Sequence, residues 1–86
     1  MDKPLKILLV EDNPADAQLV LKQLKREKID FAEELVENQD QYVQALANMN
    51  PDIILSDYTL PRFDGMQALL IRNELKPNIP FILVTG

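Results

Sequence analysis

PDIILSDYTLPRFDG, residues 51–65, holds a whole strand, its tip and the loop that leaves it. Ile53, Ile54 and Leu55 form an apolar run of strand length, entered after Pro51. A short apolar run bounded by turn signals reads as a buried strand, here of a parallel sheet. The strand ends on Asp57. Open α/β sheets place their chemistry beyond the carboxyl ends of the strands, so a carboxylate at that point is a candidate functional group. Taken alone it also reads as an ordinary turn former. A loop with Pro61 in it follows, from Tyr58 to Phe63, and Asp64 is suited to cap the helix after Gly65.

Upstream, Leu5–Val10 (LKILLV) is a second strand, apolar enough to be central and covered on both faces, with Glu11 and Asp12 at its end. Asn13-Pro14 reads as the N-cap and first position of a helix, and Asp16 in the first turn suits the helix dipole. Ala17, Val20, Leu21 and Leu24 recur at helical spacing. Lys22, Lys25, Arg26 and Lys28 read as a solvated face and partners of the helix C-terminus. Phe31–Val36 is a strand whose Glu33 and Glu34 point to a sheet edge. Asn38 with Gln41 forms a capping-box pattern, and Tyr42, Leu46 and Met49 make the apolar stripe of the helix it opens. Tyr42 lies on that stripe, so it reads as core and not as a ligand platform.

Downstream, MQALLIRNELK is helical, with Leu69, Leu70 and Leu75 among its apolar positions, and Pro77 and Pro80 stop it. Phe81–Val84 reads as another buried strand, ending at Thr85 and Gly86. The order β-α-β-α-β-α-β predicts a parallel sheet with helices on its faces, wrapped by right-handed crossovers.

Composition narrows the functions. The 86 residues, 47% apolar, suffice for one small domain; a chain near this size buries only about 60–65% of its unfolded surface. Net charge is −5 with no basic tract, which argues against direct nucleic-acid binding. There is no cysteine and no histidine, which removes disulfides, thiolate and imidazole metal sites and histidine general bases. No apolar run has the length of a membrane span and the first ten residues lack a signal-peptide pattern, so a soluble, cytoplasmic protein without membrane contact is expected.

If the first and third strands are neighbours, Glu11, Asp12 and Asp57 meet in one pocket. Two unit charges about 4 Å apart repel by roughly 4 kcal/mol at an effective dielectric near 20. Either one carboxyl keeps its proton or a cation neutralises the group. With oxygen ligands alone, Mg²⁺, Mn²⁺ or Ca²⁺ is favoured over zinc or copper. A metal beside an Asp at a strand tip suits phosphoryl transfer, with the carboxylate as nucleophile. The plainer alternative is that Glu11 and Asp12 only decorate a helix N-terminus. Asn13 already fills that cap, which leaves two acids over.

Three motifs, ILLVEDNP (Ile7–Pro14), PDIILSDYTLPRFDG (Pro51–Gly65) and PFILVTG (Pro80–Gly86), occur in the order and at the spacing of the receiver domains of two-component response regulators, and the chain resembles that family along all 86 residues. The resemblance implies a flavodoxin-like sheet of order 2-1-3-4-5, receivers being themselves standard examples of that topology. It implies that Asp57 accepts a phosphoryl group from a sensor histidine kinase or a phosphotransfer protein. Mg²⁺, or Mn²⁺ in its place, would be bound by Asp12, Asp57 and the backbone carbonyl of Thr59. Glu11, standing where the family often has Asp, would hold the metal through water. Thr85 would supply the switch hydroxyl. Tyr58, Thr59 and Leu60 would form the loop over the site, with the Thr59 side chain at the position that tunes loss of the phosphoryl group. Such a module is a signalling phosphoacceptor and not an enzyme, beyond taking phosphoryl from a donor and losing it again.

Receivers continue past the Thr-Gly with a helix, a fifth strand and a last helix, and the start of that part carries a lysine that pairs with the phosphoryl group. Lys3, Lys6 and Lys76 would sit at the opposite end of the sheet, and Arg62 is on the correct side but in the loop. Residues 1–86 are therefore expected to be the N-terminal portion of a receiver, with order 2-1-3-4, an incomplete sheet and impaired activity. Phe81, Ile82, Leu83 and Val84 would then form an unguarded apolar edge, which predicts a homo-oligomer or a rearranged assembly through them. Other functions fit less well. A haloacid-dehalogenase-like phosphatase wants a second Asp two residues after the nucleophile, where this chain has Thr59. A nucleotide- or flavin-binding sheet wants a glycine-rich loop, and only Gly65 and Gly86 exist. A structural fragment that keeps the pocket without activity fits every residue discussed so far.

Overall fold

The structure, a computed structural model, describes residues 4–11, 13–57 and 65–84. Four strands, β1 (Leu5–Val10), β2 (Phe31–Val36), β3 (Ile53–Asp57) and β4 (Phe81–Val84), alternate with three helices, α1 (Pro14–Arg26), α2 (Gln39–Met49) and α3 (Gly65–Leu75). All strand pairs are parallel, in the order β2-β1-β3-β4. This is the flavodoxin-like arrangement expected, and it makes β1 and β3 the central neighbours.

Side chains alternate across each strand and so divide the apolar residues between two layers. Leu8, Val10 and Ile54 join Val36, Tyr42, Ala45, Leu46 and Ala68 on the α2/α3 side. Ile7, Leu9 and Leu55 join Ala17 and Leu21 on the α1 side. Ile7 to Val10 are buried, as a central strand covered on both faces requires. β2 lies at an edge of the sheet, with Glu33 and Glu34 exposed.

The helix starts follow their cap residues. The Asn13 side chain accepts the N–H of Ala15 at 2.9 Å and that of Asp16 at 3.3 Å, with Pro14 next in line. Asn38 accepts the Gln41 N–H at 2.9 Å. The Gln41 side chain reaches back to the Glu37 N–H, one residue before the position of a standard capping box. α1 ends in a Schellman turn: the Ile29 N–H donates to Leu24 and the Lys28 N–H to Lys25, with Lys28 at φ 60°. At the foot of the sheet, the Lys6 N–H donates to the Asp52 carboxylate and the Asp52 N–H donates to the Lys6 carbonyl, both at 2.8 Å. This reciprocal clasp joins β1 to the residue that precedes β3.

α3 does not bury Leu70 or Leu75, which are exposed; it buries Gly65 and Ala68, with Ile71 packed against the core. α3 is apolar nearly all round, so its pattern does not select a face, and the small Ala68 is what lets it approach Tyr42. β4, whose apolar run alone reads as buried, ends the sheet order among the described residues, with Ile82 48% exposed, as the incomplete order 2-1-3-4 implies.

Candidate functional site at the carboxyl ends of β1 and β3

Parallel pairing of Ile7–Val10 with Ile53–Ser56 brings the tips of β1 and β3 to the same edge of the sheet. Beyond β1, the Glu11 N–H donates to the Val36 carbonyl at 3.0 Å, which carries the β1–β2 register one residue further. The Glu11 side chain is buried, 8% exposed, and its Oε1 accepts the Asn13 N–H at 3.1 Å. β3 ends on Asp57, which is half-buried and stands opposite Val84. By strand alternation Asp57 is on the α1 face, with Ile53 and Leu55. α1 begins at Pro14, so the positive end of its dipole is directed to this same edge.

Glu11 and Asp57 thus occupy adjacent strand tips, as the sequence suggests. Glu11 does serve the start of α1, as the plainer reading held, by accepting the Asn13 N–H. Among the described residues no three carboxylates are grouped closely enough to hold a metal ion. Asp12, Thr59 and Thr85 lie outside the described residues, as do Tyr58, Leu60, Arg62, Asp64, Lys3 and Gly86. The two carboxylates that are described offer oxygen donors alone, a set that suits a hard cation such as Mg²⁺. Lys6 and Lys76 are at the amino end of the sheet, away from the carboxylates: Lys6 is in the clasp with Asp52, and Lys76 closes the last turn of α3 by donating to Arg72. An open hollow lined by Leu5, Lys6, Ile29, Asp30, Asn50 and Asp52 also lies at that amino end.

Sequence reasoning missed two polar contacts that hold the surroundings. Ser56 is fully buried and its hydroxyl donates to the Asp57 carbonyl at 3.0 Å. The available signal was a hydroxyl residue inside an otherwise apolar strand. Tyr42, equally buried, donates its hydroxyl to the Ala68 carbonyl at 2.8 Å and so ties α2 to α3. Burial pushes the Tyr42 phenol well above its ordinary value, and the nearby Arg72 charge opposes that shift without cancelling it. The Arg72 Nε in turn donates to the Ile79 carbonyl at 2.7 Å and pins the turn that leads into β4.

The sequence profile of the response regulator receiver domain matches residues 7–86. Response regulator Rcp1 of Synechocystis sp. is 34% identical, over 95% of this chain and 62% of that protein. The transcriptional regulatory protein BaeR of Escherichia coli is 34% identical, over 94% of this chain and 32% of that protein. The chain therefore spans less than two thirds of the length of either relative. Among solved structures, the receiver domain of sensor histidine kinase PA1611 from Pseudomonas aeruginosa superposes with a TM-score of 0.79 at 29% identity, over 94% of this chain and 66% of that one. That crystal structure has a magnesium ion coordinated in its active site cleft. The bacteriophytochrome response regulator AtBRR superposes with a TM-score of 0.80 at 27% identity, over 96% of this chain and 67% of that one.

Proposed function

Because the chain belongs to the response regulator receiver domain family, we propose that it works in the cytoplasm as the phosphoacceptor of a two-component relay, taking a phosphoryl group on Asp57 from a histidine kinase or phosphotransfer protein. The observation that carries this reading is the pair of adjacent strand tips, with half-buried Asp57 ending β3 and buried Glu11 directly after β1. An Asp57 carboxylate oxygen attacks phosphorus, the bond from phosphorus to the donor atom breaks, and the donor leaves with the electron pair. The product is an acyl phosphate on Asp57. β3 is paired on both sides as far as Ser56, and Asp57 is paired with Val84 of β4, which holds the nucleophile at the edge of the sheet. Asp12, Asp57 and the Thr59 carbonyl would hold Mg²⁺, with Glu11 reaching it through water, and Thr85 would offer its hydroxyl to the phosphoryl group. Mg²⁺ bound there offsets the negative charge that collects as phosphoryl and carboxylate approach.

The test is incubation of the chain with acetyl phosphate and Mg²⁺. A single added phosphoryl mass, mapped to Asp57 and lost in Asp57→Asn, is expected; modification elsewhere, or none, refutes the reading. Uptake by the 86-residue polypeptide alone should be slow. Its described lysines do not reach this edge, and charge-assisted contacts to a phosphoryl group are the strong ones. A second copy of the chain is a further partner: β4 is an apolar sheet edge with Ile82 48% exposed, and we propose self-association through Phe81, Ile82, Leu83 and Val84.

A further inference from the structure

Ser56 stands where an apolar residue would be expected. Its register partners are Val10 on β1 and Leu83 on β4, and no part of it is exposed. Burying a hydroxyl costs free energy unless the group is bonded. Here it is bonded locally: the hydroxyl donates to the carbonyl of Asp57, the next residue. The place of that carbonyl matters. Among the described residues β1 pairs with β3 as far as Val10 opposite Ser56, while Asp57, one residue on, pairs with Val84 of β4. The bond to Ser56 acts at the point where that pairing with β1 stops.

From these observations we infer that Ser56 is a positioning residue for Asp57, its buried hydroxyl setting the orientation in which the Asp57 carboxylate is presented to metal and phosphoryl donor. The inference rests on the acceptor reading of Asp57. The peptide after Asp57 is planar, so holding its carbonyl holds the whole unit and fixes ψ of Asp57. The rotamers open to a side chain depend on its own φ and ψ, so a fixed ψ narrows the directions the carboxylate can take. Ser56 acts from the α2/α3 face while Asp57 lies on the other, so it positions the acceptor without occupying the site. Alanine would suit the apolar surroundings at least as well, which sets the hydroxyl apart as a device for geometry and not for burial.

The sequence contains one Asp-Tyr pair, Asp57-Tyr58. Labelling the chain with carbonyl-¹³C aspartate and ¹⁵N tyrosine therefore gives one NMR cross-peak, which reports the peptide that Ser56 holds. In the wild type this peak is expected to move on titration with Mg²⁺. In Ser56→Ala it is expected at a different position before any metal is added, with the Mg²⁺ midpoint raised about three- to tenfold, the worth of one buried hydrogen bond. Ser56→Thr keeps the hydroxyl and should restore both. Tyr42→Phe also loses a buried hydroxyl bond on the same side of the sheet, but one made to Ala68 of α3 and not to β3, and should change neither; it separates positioning from general loosening. Ser56→Cys, a weak donor of similar size, carries the same measurement if the alanine variant does not fold. The inference is overturned if the Ser56→Ala peak coincides with the wild type, if its midpoint is unchanged, or if Tyr42→Phe raises the midpoint equally. A wild-type peak indifferent to Mg²⁺ refutes the acceptor reading itself, and the inference falls with it.

Discussion

Two residues carry most of what can be tested one side chain at a time. Asp57 is one of two described carboxylates at adjacent strand tips, so Asp57→Asn removes a charged ligand while keeping shape. Mn²⁺ affinity, read by water-proton relaxation, is expected to fall about tenfold, the scale of one charge-assisted contact; equal affinity in the two proteins would contradict the site. Tyr42 is the other. Its hydroxyl is buried and bonded to Ala68, so Tyr42→Phe should cost about 1 kcal/mol in urea unfolding. The pH dependence has a definite sign. The folded phenol holds its proton above the ordinary value of 10.0, so its contribution is complete below that pH. As pH rises past that value, the unfolded chain releases the proton first and stability drains away. The wild type should lose more stability than Tyr42→Phe between neutral pH and that range. Parallel loss in both would show that the phenol is not held as described.

At the scale of the elements, the ends of α1 and the edge of the sheet make separate predictions. Lys28 closes the Schellman turn at φ 60°, a conformation that suits glycine and strains a residue with a β-carbon. Lys28→Gly is expected to raise stability by about 0.5–1 kcal/mol, within the penalty for a left-handed residue; a loss like that of glycine inside a helix would mean the turn does not form. At β4, Ile82→Lys places a charge on a half-exposed edge. Light scattering after size exclusion should show association in the wild type and a monomer in the variant, with little change in unfolding; a wild-type monomer near 9.9 kDa at high micromolar concentration would refute self-association. Most elements were legible in the sequence because their apolar runs and caps agree: Asn13 and Asn38 mark helix starts, and LKILLV reads as a central strand. The face of α3 was not legible, since its apolar residues surround it and Ala68 is chosen by space and not by hydropathy. The end of α1 was hidden too, because Lys28 holds a place that glycine would have announced. The apolar run of β4 alone reads as buried, and its exposed edge was legible only through the resemblance, which places no described strand beyond it.

For the molecule as a whole, neighbouring strands are never consecutive without a helix between them. Local pattern therefore names the strands but not their order, which came from the resemblance and agrees with the β2-β1-β3-β4 sheet. Once β1 and β3 are neighbours, Glu11 and Asp57 must share an edge, and that much of the candidate site was legible. Ser56 was not, since nothing in a sequence says which carbonyl a buried hydroxyl will choose. The clasp between Lys6 and Asp52 spans 46 residues. During synthesis at about 5–20 residues per second, roughly 2–9 s separate the emergence of these two partners. Through that interval Ile7, Leu8, Leu9 and Val10 have β2 on one side at most, and the other side of the most buried strand in the protein is open. That open flank closes only when Ile53–Ser56 follow Asp52 and pair with Ile7–Val10, so the Lys6–Asp52 clasp marks the point in synthesis at which the central pair can begin to zip.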